Sequence, residues 1–185
     1  MSAYDLPTSL TIGKVEYRIR YNWRAILDVL IACADPELDD EEKALCMLQI
    51  FYPDWQTIPE EHLSEACKKA CDFIDCGQRD DGKPRPRMID WEQDGPIIIP
   101  EVNKVAGREV RSTPDVHWWT FFGWFMGIGE GLLSSVLQIR DLKAKGKKLE
   151  KWQQEFYREN KAIVDLRKPE TREIREEKDN ILKYL

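Results

Sequence analysis

The chain has 185 residues, enough for one domain with its own core or for a domain with an appendage. It is 42% hydrophobic and 34% charged with a formal net charge of -6, which marks a globular protein with a densely charged surface and argues against nonspecific nucleic-acid binding, since neutralising phosphates needs a basic face. The N-terminus MSAYDLPTSL lacks a basic region followed by an apolar one, so no signal peptide is expected, and five cysteines without a secretion signal are read as reduced thiols in a cytoplasm.

Residues 8–20 alternate apolar and polar side chains around Gly13-Lys14, which predicts a β-hairpin with glycine first in a type II′ turn. A lone hairpin is marginal in water, so it must pack on the helices or add an edge to a partner's sheet. Tyr21 to Ala34 reads as a helix capped by Asn22 and ended by Asp35-Pro36, with Trp23, Ile26, Leu27, Leu30 and Ile31 on its apolar face. Asp39-Asp40-Glu41-Glu42 opens a second helix, acids being favoured near the positive end of the dipole, and Ala44, Leu45, Leu48 and Phe51 are its expected buried face.

A third helix is expected over Pro59–Cys76, with Leu63, Ala66, Cys67, Ala70, Phe73 and Ile74 as its stripe. It carries the best metal-like set in the chain, His62, Cys67, Cys71 and Cys76. Their spacing matches no CxxC pair, and Cys67 and Cys71 also sit where small apolar residues belong, so no metal and no cofactor is assigned. Residues 77–88 are polar and rich in Gly and Pro, an exposed linker loop. Asp90 is the expected cap of a helix with Glu92 and Asp94 in its first turn. Pro96 and Pro100 are expected to shorten or kink that helix, and Gly107 to end it. Asp90 and Asp94 could pair for cation or acid–base work, but no His, Cys or Gly-rich loop completes such a site, and capping is the simpler reading.

Residues 115–142 form the aromatic core hairpin. Trp118, Trp119, Phe122, Phe125 and Met126 recur at helical spacing and give a first helix apolar on most of its circumference, hence a central one. A break near Gly127-Ile128-Gly129 precedes a second helix with Leu133, Val136, Leu137 and Arg140 on one side. A membrane span needs roughly 20 continuous apolar residues, and the run here, Trp118 to Ile128, is too short. His117 has no nucleophile or orienting acid at a recognisable spacing and reads as a packed histidine. A basic loop at 143–148 leads to a long charged helix bearing Leu149, Trp152, Phe156, Ile163 and Leu166. Pro169 interrupts it, and a second charged helix over 171–184 has only Ile174, Ile181, Leu182 and Leu185 to bury. The fold class is therefore mainly α: a compact helical domain over 1–166 with a small N-terminal β-hairpin, and a charged helical extension over 167–185. Leu149, Trp152, Phe156, Ile174 and Ile181 are the candidate partner contacts, together with the hairpin edge.

At Asp90-Trp91-Glu92-Gln93-Asp94 and at His117-Trp118-Trp119-Thr120-Phe121 the sequence resembles the bacteriophage gene-product-fifteen family, from tailed phages and prophages of Gram-positive bacteria. The shared pattern is an N-terminal hairpin, an amphipathic helical half, a D-[FWY]-E-x-D segment, and a histidine followed by paired tryptophans and a phenylalanine. A Gly-containing break and an arginine about a helical hairpin later complete it. Here the matching residues are Asp90, Trp91, Asp94, His117, Trp118, Trp119, Phe121, Gly127 and Arg140, and the likeness runs to about Leu166. The chain departs from the pattern at Thr120, where Lys is common, at Pro96 and Pro100, at Gly129-Glu130-Gly131, and in the tail beyond Pro169. The resemblance implies a non-enzymatic tail assembly chaperone in the cytoplasm of the bacterial host. Its partner would be the tape-measure protein, with the tail-tube protein as a further one and self-association left open. Nucleic acid, membrane and cofactor play no part in that role. The alternatives are a structural virion component, such as a head–tail connector or completion protein, and a small zinc enzyme using His62 and the cysteines.

Overall fold

The computed structural model describes residues 4–78 and 86–167. The fold is mainly α, with one small two-stranded sheet. Strands β1 (Ser9–Ile12) and β2 (Val15–Arg18) pair antiparallel with Ile12 opposite Val15, so Gly13 and Lys14 are the whole turn. Gly13 takes φ +59° while Lys14 stays out of the positive-φ region, the φ pattern expected of a II′ turn. A Cβ at Gly13 would also stand 2.9 Å from His62 Nε2, so the turn tip needs glycine twice over. The hairpin packs at home. Gly13 N–H donates to Glu65 Oε2 at 3.0 Å and Lys69 Nζ to the Thr11 carbonyl, both from the third helix, and Leu10, Ile12 and Tyr17 enter the core.

Helices α1 (Trp23–Ala34), α2 (Asp40–Phe51) and α3 (Leu63–Ile74) follow, and their starts obey local chemistry. Asn22 accepts from Arg24 N–H, and Asp39 and Glu42 close a reciprocal capping box on α2. Two expected core positions shift. Leu45 is 43% exposed, because α2 turns only Leu48 and Phe51 fully inward, and Val29 rather than Leu27 or Leu30 is the fully buried member of the second turn of α1. The third helix is shorter than its apolar stripe suggested, beginning with a 3-10 turn at Glu60–His62 and stopping at Ile74.

Helix α4 (Trp91–Ala106) overturns the expectation that proline would shorten it. It continues unbroken through Pro96 and Pro100 to Gly107, which caps it at φ +66°. Each proline removes one N–H, leaving the carbonyls of Glu92 and Pro96 without their partner four residues on. Glu92, Pro96 and Pro100 are all exposed and one turn apart, while Ile98, Ile99 and Val102 are buried on the other side, so burial holds the helix together. Helix α5 (Trp118–Met126) and helix α6 (Leu132–Ala144) form the aromatic hairpin. The expectation that α5 is a central helix holds for one side of it: Trp118 and Phe121 are fully buried, Trp119, Phe122, Trp124 and Phe125 are half-buried, and Met126 is exposed. The long C-terminal helix is in fact two short ones, α7 (Lys151–Glu159) and α8 (Lys161–Val164), broken at Asn160, whose side-chain amide donates to Phe156 O at 3.0 Å. Residues 171–184, with Ile174 and Ile181, lie outside the described residues, as does most of the loop at 77–88.

The main core joins the hairpin, α1–α5 and the start of α6. A smaller cluster of Val136, Ile139 and Val164 lies under α7 and α8. At the centre, Trp23 and Phe121 stack with ring centroids 4.5 Å apart, and Trp118 packs against Phe121, Phe122 and Trp91. Trp118 is 1% exposed and its indole N–H donates to Ile74 O at 2.7 Å. Trp118→Ala therefore removes a large buried ring and leaves a helix-end carbonyl unpaired, and should cost about 3–5 kcal/mol in denaturant unfolding. Unchanged unfolding would refute the central placement.

Candidate functional site

The two motif segments meet across the fold, and nearly every polar group in them is consumed by structure. Asp90 caps α4 by accepting from Glu92 N–H and Gln93 N–H at 3.1 and 3.0 Å. Trp91 packs on Phe125 and edge-on to Trp118, tying α4 to α5. Gln93 reaches the end of the described chain, donating to Asp165 O at 2.8 Å and accepting from Arg167 N–H at 2.8 Å.

Asp94 is fully buried and faces Arg140 of α6, itself 6% exposed. The pair is bidentate, with Nη1 donating to Oδ2 at 2.6 Å and Nη2 to Oδ1 at 2.8 Å. The other three guanidinium hydrogens go to backbone carbonyls: Nε to Val164 O at 2.7 Å, Nη1 to Met88 O at 2.8 Å and Nη2 to Ile163 O at 2.7 Å. All five donors of the guanidinium are thus used. Asp94 Oδ2 also accepts from Asp90 N–H at 2.9 Å. Reading Asp94 as a first-turn helix acid missed its partner. The available signal was an arginine on the same helical face as Leu133 and Val136, since a charge on a buried stripe needs an opposite charge.

His117 caps α5, its Nδ1 accepting from Trp119 N–H at 3.0 Å, while Nε2 lies 2.9 Å from Pro7 O. With Nδ1 accepting, the proton sits on Nε2 and the ring is neutral. Tyr21, Phe73 and Trp119 pack around it. Burial lowers its pKa below the ordinary value, against the raising effect of the Pro7 carbonyl. Trp119 Nε1 donates to Phe73 O at 2.8 Å, so the two adjacent indoles together close the C-terminal end of α3. Gly127 and the neighbouring Gly131 are close-approach positions: a Cβ would meet Val105 Cγ1 at 3.2 Å and Glu101 Oε1 at 3.3 Å respectively.

The metal-like set does not assemble. Among the described residues no three of His, Cys, Asp and Glu come together to hold an ion. His62 instead lies 3.7 Å from Glu65, Cys71 Sγ lies 4.0 Å from Met47 Sδ, and Cys76 takes a left-handed φ of 54° in the turn that ends α3. Burial raises the pKa of Cys33, Cys67, Cys71 and Cys76, the last to about 12, so none of these thiols is a ready thiolate. Among the described residues no helix is long and apolar enough to cross a membrane.

The candidate partner contacts divide. Leu149 and Phe156 pack against the smaller core cluster rather than facing outward, because α7 turns Gln153 and Phe156 inward. Trp152, one turn before Phe156 and nearer the start of α7, is 48% exposed. Sequence reasoning missed a separate apolar ridge where the end of α4 meets the α5–α6 turn: Met126 is 62% exposed, Val105 41% and Leu132 37%. Helical periodicity alone placed Met126 in the core, although the glycines at 123, 127 and 129 already thinned that side of the hairpin.

Two outcomes are expected. Asp94→Ala or Arg140→Ala alone should cost about 3–5 kcal/mol, because each strands a buried charge, while Asp94→Leu with Arg140→Met should recover part of that loss. Chemical denaturation of the four proteins checks this, and additive costs would refute a coupled pair. For His117 the sign follows from its lowered folded-state pKa. As pH falls below about 6.5, the unfolded chain gains a proton that the folded chain refuses, so stability drops until the lower folded value is reached. His117→Asn keeps an acceptor for Trp119 N–H and should flatten that part of the stability–pH curve, whereas a curve parallel to the parent's would refute the assignment.

Comparison with protein-family models, curated proteins and solved structures gives no match to this chain.

Proposed function

We propose that the protein is a phage tail assembly chaperone that binds the tape-measure protein in the host cytoplasm during long-tail morphogenesis, and that it works by contact rather than catalysis. The observation that carries this reading is the set of exposed apolar side chains where α4 meets the α5–α6 turn, Met126 at 62%, Val105 at 41% and Leu132 at 37% exposure. A tape-measure protein is a very long helical chain whose apolar faces stay exposed until the tube encloses it. Exposed apolar side chains that include a methionine suit transient cover of such faces, since the unbranched thioether adapts to irregular surfaces. Glu101 with Lys104 on one flank and Glu130 on the other give the ridge a polar rim. The net charge of -6 would help keep a complex with an apolar client dissolved. The engagement of Asp94, Arg140 and His117 in fixed hydrogen bonds also supports a presenting scaffold, because groups so occupied are not available for acid–base work. The tail-tube protein is a further partner on this reading.

The experiment is co-expression and pull-down with the tape-measure protein of the same phage or prophage, with purified virions probed in parallel. Capture of the tape-measure protein together with absence from virions is expected. Met126→Asp should reduce capture by on the order of tenfold or more with little change in melting temperature, because that side chain is 62% exposed. A stoichiometric band in virions without capture would instead assign a structural tail or connector role.

A further inference from the structure

A second surface lies at the other end of α6, where the charge pattern of the chain reverses. Residues 143–151 hold five lysines and one glutamate, so this stretch carries +4 and the remaining chain -10 against a total of -6. The turn is rigidly built. Gly146 takes φ +64°, its N–H donates to Lys143 O at 3.0 Å, and Lys147 N–H donates to Leu142 O at 2.8 Å, which satisfies the last carbonyls of α6. On the far side Glu150 N–H donates to Gln153 Oε1 at 2.9 Å, fixing the start of α7.

The lysines have two kinds of surroundings. Lys143 pairs with Asp165 at 2.5 Å and lies 3.8 Å from the centre of the Tyr157 ring, and Lys145 pairs with Asp141 at 2.7 Å. Lys147, Lys148 and Lys151 are exposed and form no ion pair with a described residue. Beside them Trp152 is 48% exposed, its indole N–H held by Glu150 Oε2 at 3.1 Å, while its helix neighbour Gln153 is buried. Interfaces concentrate their binding energy in a few aromatic anchors, and rim charges steer the partner to them.

We propose that Trp152 with Lys147, Lys148 and Lys151 is a docking site for an acidic segment of a partner protein that carries an apolar side chain for the indole. Charge complementarity selects the partner. Three ammonium groups without an ion pair to a described residue match a short acidic segment, whereas a nucleic-acid strand continuing past them would meet the rest of the chain, which carries -10, and, on α7 itself, Glu155 and Glu159. The site is independent of the tape-measure reading, since α6 with its 13 residues separates it from the Val105–Met126–Leu132 ridge.

The test titrates the full-length protein with a fluorescein-labelled peptide of alternating acidic residues and leucines. The controls are the same peptide with serine for leucine, and oligothymidylate. Saturable, salt-weakened binding of the acidic leucine peptide is expected. Trp152→Ala, and the triple variant Lys147→Glu, Lys148→Glu, Lys151→Glu, should each weaken it by on the order of tenfold or more at unchanged melting temperature. If Trp152→Ala lowers the melting temperature, the triple lysine variant decides. No saturable binding, equal binding by parent and variants, or equal binding of the serine peptide would overturn the proposal. Tighter binding of oligothymidylate would reassign the site to nucleic acid, and self-association abolished by the same substitutions would reassign it to a second copy of the chain.

Discussion

The buried pair of Asp94 and Arg140 is the constraint on which the C-terminal half depends. Moving either charge out of water costs several kcal/mol, and an ion pair alone offsets that only when geometry is good and every remaining donor is satisfied. Here the guanidinium uses all five hydrogens, two on the carboxylate and three on the carbonyls of Met88, Ile163 and Val164. Those carbonyls belong to the approach to α4 and to the end of α8, where no intrahelical N–H is in place to receive them. One side chain on α6 therefore fixes the entry to α4, α4 itself and α8. Lysine could not substitute, since three donors on a point charge cannot address a planar carboxylate and three carbonyls at once.

The N-terminal half is joined to the same centre by a different device. The HWW segment uses neutral donors and acceptors: one imidazole caps α5 and reaches Pro7, and two indoles close the end of α3. Backbone bonds add to it, with Trp23 N–H donating to Val116 O and Trp118 N–H to Tyr21 O. Trp91 then packs against Trp118 and Phe125, so the clamp around His117 and the one around Arg140 share α4 and α5 as their common wall. Trp23 Nε1 is the exception among the described residues, a buried N–H without a partner, with the Arg24 guanidinium over its ring at 4.5 Å. The stacking of Trp23 on Phe121 gives that indole its place without the hydrogen bond.

What the sequence made legible was local. The hairpin turn at Gly13, the caps Asn22, Asp39 and Asp90, and the stop at Gly107 are each decided within a few residues, and each lies where the sequence predicts it. What failed depends on the rest of the fold. Pro96 and Pro100 break a helix in isolation, but here both fall on its exposed side while three isoleucine and valine side chains hold the other. Asn160 splits a pattern that reads as one helix, and a buried Gln153 replaces the apolar face that Trp152 suggested. The identity of Asp94 and Arg140 as important residues was legible; their pairing across 46 positions was not, because spacing carries no information about a contact between elements.

The same reasoning explains why the exposed apolar and basic surfaces were the hardest part to read. Apolar periodicity marks every large hydrophobic residue as core, and only the finished packing separates Phe121, which is buried, from Met126, which is not. Lysine runs likewise read as solvated loops until the fold shows which ammonium groups already have partners. In this chain Lys143 and Lys145 are engaged, whereas Lys147, Lys148 and Lys151 have no ion pair with a described residue. The residues of the DWEQD and HWW segments and Arg140 thus fix the architecture, and the exposed apolar and basic side chains are those that the architecture leaves over at the two ends of α6. A substitution in the first class should act through stability, and one in the second should act through binding at constant stability. That separation follows from burial and hydrogen bonding alone.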